Sequence, residues 1–211
     1  MAGKRVLLVE GKNDEHVVKN ICGRLNLGQI DEIRPKPGKD PLLDVLPVEL
    51  KGASDGSVSV MGVILDADEN LQSRWQSVCG RLVEAGYQNV PDVPAEDGTI
   101  LLPPAGSKPL PRFGIWVMPD NRVPGILEDF LKFLVPDGDV VLAHAEQSLD
   151  NLPDKRFRSL DRPKALMHTW LAWQEEPGKP YGQAITARYL DTDLPMGKSF
   201  SAWLEKVFFD E

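Results

Sequence analysis

Val6-Leu7-Leu8-Val9-Glu10-Gly11 and Val63-Ile64-Leu65-Asp66-Ala67-Asp68 decide the fold. Each is an unbroken apolar run, the pattern of a strand buried on both faces of a parallel sheet, and each runs directly into acid. In open α/β sheets, ligands bind at the carboxyl ends of such strands. Carboxylates gathered there repel one another unless a cation or a shared proton intervenes. The two runs together therefore predict an α/β sheet with a divalent-cation site at one edge.

The neighbouring sequence supplies the rest of the alternation. After the first strand, Val17, Val18, Ile21, Cys22 and Leu25 form a one-sided helical stripe over about 13–25, with Asn13 or Asp14 placed to cap it. Ile30–Arg34 reads as a second strand and Pro35–Gly38 as a turn. Asp40–Leu50 reads as a helix weakened by Pro47. Val58–Leu65 is the third strand, and Leu71, Trp75, Val78, Cys79 and Leu82 mark a helix that stops at Gly86. Strand–helix alternation over 4–86 implies right-handed crossovers and a parallel sheet. Residues 89–113 are rich in proline and read as a flap between two late strands, with 99–102 pairing with 114–118. Pro124 opens a further helix, and 136–211 reads as helical with no strand. The expected organisation is an α/β domain over 1–135 and a helical extension over 136–211 packed on or beside it.

The 211-residue chain carries a net charge of −8, which argues against broad coating of duplex DNA, for which a basic chain is usual. No stretch approaches the roughly 20 apolar residues of a membrane span, and the N-terminal apolar run is too short for a signal-peptide core. A cytoplasmic place is expected, and two unclustered cysteines, Cys22 and Cys79, read as reduced thiols on helix faces.

Candidate site residues follow from position. Glu10, directly after four apolar strand residues, is badly placed unless paired or bound to a cation. Asp66 and Asp68 are two apart, so on an extended segment both side chains point one way and could share an ion. Hard oxygen ligands select Mg²⁺ or Mn²⁺. Glu128 and Asp129, early in the helix after Pro124, could add ligands or simply favour the helix dipole; Asp120 is a third choice. Lys12 is the best-placed phosphate contact. Asp14 would orient Lys12 or an attacking water, although Asp14 and Glu15 also read as helix-start acids. His168 reads more readily as a hydrogen-bonded, half-buried side chain than as an acid. Trp170 and Trp173, at helical spacing, read as core before base-stacking.

VLLVEGKNDEH (6–16) followed by VILDADEN (63–70) resembles a Toprim domain, the fold shared by topoisomerases, bacterial primases and OLD-type nucleases. Such domains carry a glutamate after the first strand and a D-x-D after the third, positions that Glu10, Asp66 and Asp68 match. The resemblance runs from the first strand through Asn70 and extends to MPDNRVPGILEDFL (118–131), which is similar to a later segment of small standalone Toprim-like proteins, some linked to phage defence. It implies Mg²⁺-dependent (or Mn²⁺-dependent) chemistry on phosphodiesters, with nucleic acid as partner. The zinc-binding domain of primases and the strand-cleavage module of topoisomerases find no counterpart here. That favours a nuclease acting on DNA or RNA. The ATPase domain of OLD-type proteins is missing too, so regulation by ATP would need a partner protein. Two alternatives stay open. One is a non-catalytic metal- or nucleotide-binding module in a defence or repair assembly. The other is a receiver-like phosphoacceptor at Asp66, with Lys108-Pro109 as its Lys-Pro step.

Overall fold

The computed structural model describes residues 3–36, 41–53, 55–103 and 110–210. The expected alternation forms as β1 (Lys4–Val9), α1 (Lys12–Leu25), β2 (Glu32–Pro35), α2 (Pro41–Ala53), β3 (Val58–Asp66) and α3 (Leu71–Ala85). β4 (Thr99–Leu101) and β5 (Arg112–Met118) complete a five-stranded sheet of order β2-β1-β3-β5-β4. β2, β1, β3 and β5 run parallel, whereas β4 is antiparallel to β5, with Thr99 opposite Ile115 and Leu101 opposite Phe113. α4 (Leu127–Lys132), α5 (Val140–Asp150), a 3-10 turn (Ser159–Asp161), α6 (Arg162–Ala172), α7 (Tyr181–Thr186) and α8 (Pro195–Phe208) follow, and no strand occurs among the described residues past Met118. Part of the turn expected at 35–38, the helix start expected at Asp40, and Lys108-Pro109 lie outside the described residues. No helix among the described residues is long and apolar enough to cross a membrane.

The continuous apolar strands are explained by two covered faces. Val6 and Leu8 of β1, Met61, Val63 and Leu65 of β3, and Phe113, Ile115 and Val117 of β5 pack under α2 and α3. Leu7, Val9, Ile64, Trp116 and Met118 point the other way, into a cluster with Val17, Phe130, Trp170, Phe200 and Trp203 from α1, α4, α6 and α8. The helices after residue 136 thus close one face of the sheet and share its core. Trp170 is buried there, as a core reading expects, with Nε1 donating to Asp139 Oδ1 at 3.2 Å, whereas Trp173 of the same pair is exposed. Both thiols are free, and burial pushes each of them up to about 11.

α8 comes very close to the sheet because two cross-strand partners, Gly62 of β3 and Gly114 of β5, have no side chains. A Cβ on Gly62 would stand 2.6 Å from the Phe208 ring, and one on Gly114 would stand 2.6 Å from Val207. Gly98, at φ +88°, lies under the Trp203 indole in the same way.

Pro47 does not end α2, and the reason is a borrowed donor. Proline has no N–H to give the carbonyl four residues back, which here is Leu43. Arg81 Nε of α3 donates to that Leu43 oxygen at 2.6 Å. Arg81→Met is therefore expected to cost about 1–3 kcal/mol, the range for stranding a part-buried acceptor. Combined with Pro47→Ala, which restores the helical N–H, the loss should shrink sharply. Urea unfolding of the four proteins in this cycle measures the coupling; additive losses would refute it.

Two boundaries differ from expectation. α1 is preceded by Gly11 at its cap position, and Asp14 reaches back to accept the Gly11 N–H at 3.0 Å. α4 starts at Leu127 rather than at Pro124. Gly125, at φ +152°, pairs with Asp68 instead, its carbonyl accepting the Asp68 N–H at 3.0 Å. The chain from 89 to 98 is tied to α3 by Trp75 Nε1, which donates to the Pro91 carbonyl at 3.0 Å, so this part of the expected flap is anchored.

Candidate functional site

At the carboxyl edge of the parallel strands, β1 delivers Glu10 and β3 delivers Asp66, since Val9 and Ile64 are register partners just before these ends. The two are joined directly: the Asp66 N–H donates to Glu10 Oε1 at 3.2 Å. Asp66 Oδ1 accepts the N–H of Leu127, the first residue of α4, at 3.0 Å. That bond fixes the start of α4 over the strand end and brings Glu128 with it. Asp14, in the first turn of α1, closes the group from the other side. Glu10, Asp66 and Glu128 line both a cleft of about 820 Å³ and a smaller one of about 310 Å³. Asp68 lies in the larger cleft, and Asp14 and Lys12 lie in the smaller.

The electrostatics are those of crowded acid. Burial, then the charges of Glu10, Asp14, Asp68 and Glu128, push the Asp66 carboxyl well above its usual range. Asp14 is pushed up to about 7, chiefly by burial, with Glu10 and Glu128 adding to it. Burial raises Glu10 too, against the opposing pull of Arg74. Arg74, one turn into α3, is the cation inside the group: Nη2 donates to Glu10 Oε1 at 2.5 Å, Nε donates to the Asp66 carbonyl at 3.0 Å, and Nε stands 3.6 Å from Asp68 Oδ2. It is placed by Asn70, whose side chain caps α3 through the Ser73 N–H at 2.9 Å.

Asp68 departs from the extended geometry that its spacing from Asp66 suggested. Its φ is +52°, and the Asn70 N–H donates back to Ala67 in a turn, so the backbone leaves the strand directly after Asp66. Asp68 is the more exposed of the pair and approaches the group through Arg74. Asp129 is not brought in. Its Oδ2 accepts the Ile126 N–H at 3.0 Å, capping α4; it borders a cleft with Val123, Phe133, Val140 and Met196 and touches the acid group only through a small pocket it shares with Asp68. Asp120 is likewise spent on its own turn, accepting from the Arg122 and Val123 N–H groups at 2.9 and 3.0 Å. Lys12 lies at the rim but is ion-paired with Glu15 at 2.8 Å; Lys12 and then Lys19 hold the Glu15 carboxyl below its usual range.

Glu128 is buried, and its Oε1 accepts the Tyr181 hydroxyl at 3.1 Å. His168 Nε2 lies 3.2 Å from the same hydroxyl, and its ring stacks on Tyr181 at 5.3 Å. Burial, then Glu128, push the Tyr181 phenol upward, so it remains a donor. Lys164 lines both clefts, and Arg158 lines the larger. Arg74, Tyr181 and the burial of Glu128 were not drawn from the sequence. The available signal for Arg74 was a basic residue one turn into the helix that follows the third strand's acids.

The donor set suits a hard divalent ion: every candidate ligand is a carboxylate oxygen, and the excess charge needs a counterion. Among the described residues no three His, Cys, Asp or Glu side chains already stand in a metal-holding arrangement. Glu10 Oε1 and Asp66 Oδ1 are engaged by Arg74 and by the Leu127 N–H instead.

A family model covers almost the whole chain: this chain belongs to the family described as "Protein of unknown function (DUF3226)", which it matches over residues 4–209. No curated protein matches it, and no solved structure does.

Proposed function

We propose that this member of the family is a Toprim-like, Mg²⁺-dependent phosphodiesterase, a nuclease acting on DNA or RNA. One observation carries the reading. Glu10, Asp14, Asp66, Asp68 and Glu128 come from four separate elements to one edge of a parallel sheet, where burial and then their mutual repulsion leave Asp66 and Asp14 hard to ionise. Maintaining such a group is costly unless a cation uses it. The resemblance of 6–16 and 63–70 to Toprim segments supports the same assignment.

In this reading Glu10, Asp66 and Asp68 hold Mg²⁺ or Mn²⁺, with Glu128 as a further ligand; Asp129 serves α4 as its cap. The ion, when bound, polarises a phosphoryl oxygen and lowers the pKa of an attacking water. The chain's own residues do the rest. Arg74, Lys164 and Arg158 supply positive charge along the larger cleft for the substrate's phosphates, and Lys12 does so at the smaller. Asp14, the acid poised near neutrality, is placed to hold or release a proton beside them. The buried and half-buried free thiols fit a reducing compartment such as the cytoplasm. ATP-dependent regulation would come from a partner ATPase.

Single- and double-stranded DNA and RNA, incubated with the protein and Mg²⁺ or Mn²⁺, should be cut. Cutting should stop with EDTA and with Asp66→Ala. Equal behaviour of wild type and Asp66→Ala under all conditions would overturn the assignment. A second reading, a binding module without turnover, draws on Arg74, which already neutralises Glu10. It predicts heat on titration with Mg²⁺ or oligonucleotides and no cleaved product.

A further inference from the structure

We infer that Tyr181, braced by His168, is a positioning residue for Glu128, so that the helical half of the chain helps to build the metal site. This rests on the reading of the carboxylate group as a cation site. Glu128 sits at the second residue of a six-residue helix and is only 4% exposed. Its Oε1 is held by the Tyr181 hydroxyl, itself on a residue 3% exposed. The single phenolic hydrogen is donated to Glu128 Oε1, so a hydroxyl lone pair is left to face His168 Nε2. The result is a short chain of hydrogen bonds from an exposed imidazole to a buried ligand oxygen.

The anchor for this chain lies on α1. Gly182, next to Tyr181, packs so tightly that a Cβ there would stand 2.9 Å from the His16 carbonyl and 2.4 Å from Asn20 Nδ2. Thr186 Oγ1 donates to Asn20 Oδ1 at 2.7 Å. α7 is thus fixed to the helix whose first turn carries Asp14, and Tyr181 and Asp14 keep a constant relation. Partners behind a ligand set its orientation, and losing one typically costs 10- to 100-fold in metal affinity.

Mn²⁺ binding to the full chain, read by electron paramagnetic resonance of the free ion, tests the inference apart from activity. Wild type should bind saturably and Asp66→Asn should not. Tyr181→Phe, which keeps the ring and loses only the hydroxyl, should weaken binding about ten-fold or more. His168→Ala, at an exposed position and without a fold penalty, should weaken it less, and His168→Gln, which restores an N–H donor, should recover most of that. Tyr87→Phe is the control. It removes another buried phenol, which donates to the Pro111 carbonyl at 2.7 Å under the opposite face of the sheet, and should leave Mn²⁺ affinity unchanged. If wild type binds and Tyr181→Phe binds equally well, the positioning role falls and the metal site stands. Equal weakening by Tyr181→Phe and Tyr87→Phe would also remove the positioning role, leaving only general loosening. A wild type that binds no Mn²⁺ overturns both.

Discussion

Replacing Asp66 by Asn is expected to abolish metal-dependent cleavage and, at the same time, to raise the melting temperature of the metal-free protein. The two effects have one cause. Asp66 is the carboxylate most crowded by others, and its pKa stands well above the usual range through burial and then through Glu10, Asp14, Asp68 and Glu128. An acid whose pKa is raised by folding contributes stability below its unfolded pKa, and that contribution is lost as pH climbs through the folded value. Above the unfolded value the group therefore works against the fold, whether as a proton held or as a charge buried. Asn carries no charge yet keeps an oxygen for the Leu127 N–H, so α4 retains its anchor. A gain of about 1–2 kcal/mol is expected, the range of a relieved active-site conflict. For a chain of this size that is roughly 2–8 °C in Tm. Loss of activity should be at least about a thousand-fold, because an ion deprived of a central ligand forfeits several kcal/mol of charge stabilisation.

Calorimetry in EDTA between pH 5 and 8 checks the stability half. Wild type should lose stability as pH rises from the ordinary carboxylate range, with Asp14, pushed up to about 7, contributing to the loss, and Asp66→Asn should show a flatter curve. Mg²⁺ should raise the wild-type Tm and leave the variant unmoved. A variant less stable than wild type at pH 8 would mean that the charge is compensated by something other than a bound ion.

Trp203→Ala is expected to cost about 3–5 kcal/mol, the range for emptying a large aromatic site in a core. The indole is fully buried between Trp116 and Phe200, at centroid distances of 5.6 and 5.8 Å, and it roofs Gly98. Against a typical total of about 5–15 kcal/mol, that is enough to leave the protein marginal near body temperature. The apolar cluster on this face contains residues from β1, β3 and β5 as well as α4 to α8. Loss of Trp203 should therefore lower the whole transition in urea, with fluorescence and far-ultraviolet dichroism moving together. An early loss confined to helical signal, with the sheet melting later, would mean that 1–135 and 136–211 are separately stable units.

How far the site could be read from the sequence depended on whether local chain geometry decides the side chain's place. Glu10 and Asp66 were legible because a strand buried on both faces admits acid only where it ends. The spacing from Asp66 to Asp68 misled, because alternation holds only while the chain stays extended, and the bridge from Asp68 to Gly125 takes it out of the strand. The same bridge occupies the Pro124-Gly125 segment and delays α4 to Leu127, so one contact accounts for both departures. Glu128 and Asp129 read alike from the sequence, as added ligands or as dipole-favoured acids at a helix start. Which of them turns inward is set by the Leu127 N–H docking on Asp66, a contact between residues far apart in sequence. Tyr181 is of the same kind, with nothing near it to announce a partner on another element, and Arg74 offers only its place one turn into the helix after the third strand's acids.

The pair Gly62 and Gly114 has a consequence in time. Where these strands meet, the sheet owns no side chains, and the atoms that fill the hollow belong to Val207 and Phe208. During synthesis the strands are complete once Met118 has emerged, but their bare patch waits until residue 208 is made. Until then the part of this face that α8 covers stays apolar and open, even where α1, α4 and α6 cover the rest. The final closure is therefore a long-range event, slow in the way that distant contacts are slow, and it leaves the nascent chain most open to misassociation in the interval between its last strand and α8.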